Sequence, residues 1–168
     1  AALIGPVTGY LDGYPSLLES FEDSGVRICF ASRLDGARAY FEPDNMKIVL
    51  EPDLPPALAK GIMLHEIRHL DQYMRGSCVR PRLSMPEHAR AVAAMEADAS
   101  TVSLLIAWEL KQTGDPSVWS ALAAWPVQAD IAAAMQATFE AGGDTTSAAS
   151  AAFTQWFARE DRVLLYYR

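Results

Sequence analysis

The chain has 168 residues, 51% of them apolar and 21% charged, with a formal net charge of −7. It is long enough to bury a real core and too apolar to be intrinsically disordered. The acidic balance and the lack of a Lys/Arg cluster argue against nucleic-acid or anionic-membrane partners. Apolar runs such as Val102–Trp108, interrupted by Ser103 and stopped at Glu109, fall short of the roughly 18–20 residues that span a bilayer. No nucleic-acid partner and no membrane are therefore expected.

Residues 14–23 carry Leu17, Leu18 and Phe21 at helical spacing, and Ser24-Gly25 closes the segment. Three strand-like runs follow: 26–30, then 37–41 after an Asp35-Gly36 turn, then 47–50 after Glu42-Pro43-Asp44-Asn45. They read as a small antiparallel sheet. Beyond Glu51-Pro52 the pattern turns helical. Asp53 suits an N-cap and Pro55-Pro56 a first turn, opening a helix over about 55–75 that stops at Gly76. After a loop with Pro81, Ser84-Met85-Pro86-Glu87 forms a capping box in front of an Ala-rich helix over about 86–113. Further helices are expected from about 115–117 to Trp125-Pro126, over 127–141 and over 146–161, with Gly142-Gly143 the weakest seam. The tail Val163–Tyr167 reads as a strand or a last turn. The class is α+β in one domain over 1–168, sheet-rich to about residue 52 and helical from about 53. Cys29 and Cys78 are too few for a disulfide framework; two free thiols are expected, with a single bridge as the alternative.

The run His65-Glu66-Ile67-Arg68-His69 holds two of the three histidines. On a helix, residues four apart stack on one face, so both imidazoles can aim at one metal ion. Glu66 lies about 100° around the helix and can reach a water beside that ion, the arrangement a zinc hydrolase needs. Gly61 and Gln72 share the histidine face, and Gly61 leaves space there. A third protein ligand is required. Asp71 points to the opposite side. The longer pattern with glycine and a third histidine is excluded by Gln72 and Arg75 at those places. Glu96, on the next helix, shares its face with Ala89, Val92, Ala93, Ser100 and Ser103. A lone carboxylate on so apolar a face is costly without a partner, and a metal ion supplies one. Asp98, about 200° around that helix, and His88, in its first turn, remain the alternatives.

His65-Glu66-x-x-His69 followed by Glu96 resembles the gluzincin branch of the zincin metallopeptidases over about residues 45–105. The whole chain resembles uncharacterised bacterial metallopeptidase domains. The resemblance implies a minimal zincin fold, one zinc ion on His65, His69 and Glu96, and Glu66 as general base. It also implies hydrolysis of a peptide or protein substrate that pairs, extended, with strand 47–50 or a neighbouring strand. Gluzincins often carry an Asp four residues after the ligand Glu to support a zinc histidine; here that place is Ser100, a weaker partner, which leaves Asp98 or another carboxylate for the role. Arg68, Tyr73, His88, Tyr166 and Tyr167 are candidates for steadying the oxyanion. Two other readings stand beside the enzyme: a binding or regulatory module with a retained metal site, and a metal-free helical interaction domain.

Overall fold

The computed structural model describes residues 7–32, 34, 36–77 and 83–164. Helices α1 (Val7–Tyr10) and α2 (Pro15–Asp23) precede strands β1 (Arg27–Phe30), β2 (Ala39–Glu42) and β3 (Lys47–Leu50). Then come α3 (Pro56–Met74), α4 (Met85–Gln112), α5 (Ser117–Ala124), α6 (Ala129–Glu140), α7 (Thr145–Trp156) and α8 (Glu160–Leu164). A small sheet beside a mostly helical body is the α+β class that the sequence indicates.

The sheet order is β1-β3-β2. β2 and β3 form an antiparallel hairpin through a 3-10 turn at Pro43–Asn45, closed by Met46 at φ 47°. β1 lies on the far edge of β3 and runs parallel to it. The sheet is thus mixed where an all-antiparallel one was expected. β3, the last of the three in the chain, takes the place between β1 and β2, and strand order of that kind leaves no mark in local residue patterning. β3 sits between two partners, and Ile48, Val49 and Leu50 are buried.

α3 lies under the sheet with Ile62, Met63, Leu64, Ile67 and Leu70 buried. Pro56 opens it, and the expected cap Asp53 takes no part, since the N-cap place belongs to Pro55. Gly61 serves α5: a Cβ there would stand 2.7 Å from the Leu122 side chain. Its missing side chain makes room for Leu122, and Gly61 also lines the cleft beside the histidines. α4 opens with the expected capping box, Ser84 N–H donating to Glu87 Oε2 at 3.0 Å. It is 28 residues long with an 18-residue window of mean hydropathy 1.3, so by length and composition it could cross a membrane, which the interrupted apolar runs did not suggest. Over half of that window is buried against the rest of the fold, as in the core helix of a water-soluble protein.

The helix expected over 146–161 is two. α7 is capped by Asp144, whose Oδ1 accepts from Ser147 N–H at 2.8 Å, and ends at Trp156. Arg162 of α8 then folds back, donating to Trp156 O at 2.9 Å, Val127 O at 2.9 Å and Asp130 Oδ1 at 2.7 Å. The first of these satisfies a carbonyl that a continuous helix would have bonded internally. Cys29 is a half-buried free thiol. Cys78, Pro81, Asp35, Tyr166 and Tyr167 lie outside the described residues.

Candidate metal centre

α3 carries His65 and His69 one turn apart on the face turned to α4, and α4 presents Glu96 from across the helix pair. His65 Nε2 and His69 Nε2 are 3.1 Å apart, with ring planes at 79°. Glu96 Oε2 lies 3.3 Å from His65 Nε2, and Glu96 Oε1 lies 3.4 Å from His69 Nε2. A tetrahedral zinc ion with metal–nitrogen bonds of about 2.0–2.1 Å needs neighbouring donors roughly 3.3–3.4 Å apart. The two imidazole nitrogens and the Glu96 carboxylate stand close to that separation from one another, each imidazole facing a different carboxylate oxygen. Nitrogen and carboxylate donors together suit zinc and its first-row neighbours, so His65, His69 and Glu96 can hold such an ion.

The electrostatics follow from a buried carboxylate packed against two imidazoles. Burial pushes Glu96 up, but hydrogen bonding and charge from His65 and His69 outweigh it and hold the carboxyl well below its usual range. Burial lowers His69, yet the Glu96 carboxylate beside it raises it to about 9. Glu66 is 7% exposed, and burial raises it against the opposing pull of the two imidazoles.

The other acidic candidates face elsewhere. Asp71 is fully buried on the far side of α3, where it accepts from Ser16 Oγ and Ser20 Oγ at 2.7 Å each, from Arg75 Nε at 2.9 Å, and from Arg68. Asp98 accepts from Arg68 Nε and from Gln72 Nε2, both at 2.7 Å. His88 is exposed at the start of α4 and away from the cleft lining. Ser100 does not reach an imidazole; its hydroxyl receives Gln128 Nε2 at 3.1 Å. Among the described residues His65 Nδ1 is buried without a hydrogen-bond partner. His69 Nδ1 instead meets Gln72 Oε1 at 2.9 Å. The sequence showed Gln72 on the histidine face, but not that contact.

The triad opens on a cleft of about 590 Å³. Its walls come from β2, from Glu66 and Tyr73 of α3, from Met95 of α4, and from Trp125 and Trp156. These two tryptophans, expected as core or rim, thus also line the cleft. β2 is the strand along this wall. Glu51 N–H donates to Arg38 O at 2.9 Å, which makes Arg38/Glu51, Tyr40/Val49 and Glu42/Lys47 the hydrogen-bonded pairs of the hairpin. Ala39 and Phe41 therefore turn their main-chain N–H and C=O away from β3, and the Phe41 N–H meets the Glu66 carboxylate. Strand 47–50, the first choice for pairing with a substrate, has both edges occupied.

Of the described donor candidates for an oxyanion, Arg68 is engaged by Asp98 and Asp71. Tyr73 does line the cleft, with its ring edge-on to Phe41 at 5.8 Å.

A family model described as "Putative metallopeptidase family (DUF6782)" matches residues 1–168. No curated protein and no solved structure matches the chain.

Proposed function

The chain belongs to this putative metallopeptidase family, and from that membership we propose that it is a zinc-dependent peptidase of gluzincin type acting on peptide or protein substrates. The observation that carries the reading is the convergence of His65, His69 and Glu96 donors at metal-ligand spacing beside a buried carboxylate in a cleft walled by a free strand edge. Bound there, a zinc ion supplies Lewis-acid chemistry, acidifying water and polarising a carbonyl.

The chain's own residues do the rest. The edge of β2 offers the main-chain N–H and C=O of Ala39 and the C=O of Phe41 to an extended peptide, adding it to the sheet as a further strand, while the Phe41 N–H holds Glu66. That places the scissile bond along the wall shared with α3. Glu66, which lines the cleft beside the two histidines, takes a proton from the attacking water and returns it to the leaving amine. Tyr73 is the hydroxyl donor positioned on the same wall to steady the developing oxyanion.

A second reading has one observation in its favour. Neither Ser100 nor any other described side chain partners His65 Nδ1, and a ligand imidazole without such support binds metal less firmly. A module with a retained but catalytically weak metal site fits that feature. Cleavage of a peptide library separates the two. The peptidase reading expects cleavage that a chelator abolishes and added zinc restores. A protein that holds zinc yet leaves every peptide intact would establish the module instead.

A further inference from the structure

Gln72 lies three residues beyond His69 and is 5% exposed. Its amide is held on three sides. Nε2 donates to Met95 O at 3.0 Å and to Asp98 Oδ2 at 2.7 Å, both on α4. A main-chain carbonyl accepts and never donates, so the amide orientation is fixed: the nitrogen faces α4 and the oxygen faces α3. Gln72 Oε1 then meets His69 Nδ1 at 2.9 Å. An amide oxygen is only an acceptor, so His69 Nδ1 carries a proton, and Nε2, turned to Glu96 and His65, is the nitrogen left for an ion. The clamp is anchored further out, since Asp98 also receives Arg68 Nε at 2.7 Å and Arg68 reaches the buried Asp71.

We propose that Gln72, clamped by Met95 and Asp98, is the positioning residue of the metal centre: it fixes the tautomer and ring plane of His69 so that Nε2 is presented to the ion. This role rests on the metal-site reading above. It replaces, with an amide backed by a carboxylate on α4, the support that Ser100 does not give. It also makes the two histidines unequal, because His65 Nδ1 has no such partner among the described residues.

The test compares the parent with Q72M, which keeps the side chain's length but neither accepts strongly nor donates, and with Q72L should the first variant fold poorly. Zinc is titrated into metal-free protein in competition with a chromogenic chelator. Long-range proton–nitrogen spectra of the zinc-loaded protein report whether His69 Nδ1 carries a slowly exchanging proton. The expected result is zinc affinity about 10–100-fold weaker in the variant, faster solvent exchange of the His69 Nδ1 proton, and metal-free protein that still unfolds cooperatively, at a lower temperature because His69 Nδ1–H and Met95 O lose a buried partner. Parent and variant binding zinc equally, or an Nδ1 proton that exchanges as slowly in the variant as in the parent, would overturn the role of Gln72 alone. A parent that takes up no zinc would overturn the metal site and this inference with it.

Discussion

Replacing Glu66 with Gln is expected to leave zinc uptake unchanged and to lower peptide cleavage by about 10²–10⁴-fold. The amide has nearly the volume of the carboxylate, so a site that is only 7% exposed keeps its packing. None of the three donor distances among His65, His69 and Glu96 involves Glu66. What the amide cannot do is accept a proton from water. Metal stoichiometry and cleavage rate, measured on the same preparation, check both halves. A variant as active as the parent would remove Glu66 from the chemistry, whereas loss of zinc would show it to be structural.

Replacing Asp71 with Ala is expected to destabilise the protein by about 3–5 kcal/mol, the usual cost of breaking a buried ion pair. Asp71 is fully buried and joins α2 to α3 through Ser16, Ser20, Arg68 and Arg75. Removing it strands two hydroxyls and leaves the half-buried Arg68 with Asp98 alone. Arg75 is half exposed and contributes little of the loss. The pH dependence has a definite sign. Burial pushes the Asp71 carboxyl up, but Ser16, Ser20, Arg75 and Arg68 together hold it below its ordinary range. A folded-state value below the unfolded one means that the stabilisation is present above about pH 4 and is lost as the pH falls further. Denaturant unfolding should therefore show a large gap between parent and D71A near neutrality and a narrower one in acid. An equal gap at both pH values would mean that packing, not charge, sets the effect.

Local signals in the sequence carried far. The capping box at Ser84 and Glu87 and the stop at Gly76 bounded the two long helices within a few residues, because caps and breakers act through neighbours in the chain. The same periodicity brought His65, His69 and Glu96 to one place and sent Asp71 away. Contacts that depend on how elements dock were not legible. Gly61 was assigned to the histidine face, but only the position of α5 shows that Leu122 uses the space. Ser100 lay on the right helix face, yet its hydroxyl went to Gln128, since a helical angle gives a direction and not a partner. The Gln72–Asp98 contact required the separation of α3 and α4. The free edge proved to be β2 because strand order is fixed by pairing across the chain, not by the alternation within a run.

The metal centre itself is tested most directly by anomalous scattering at the zinc edge on crystals of protein supplied with zinc. The account predicts a single strong peak within roughly 2.0–2.2 Å of His65 Nε2, His69 Nε2 and a Glu96 carboxylate oxygen. No peak at that triangle after zinc loading, or a peak held by other side chains, would contradict it.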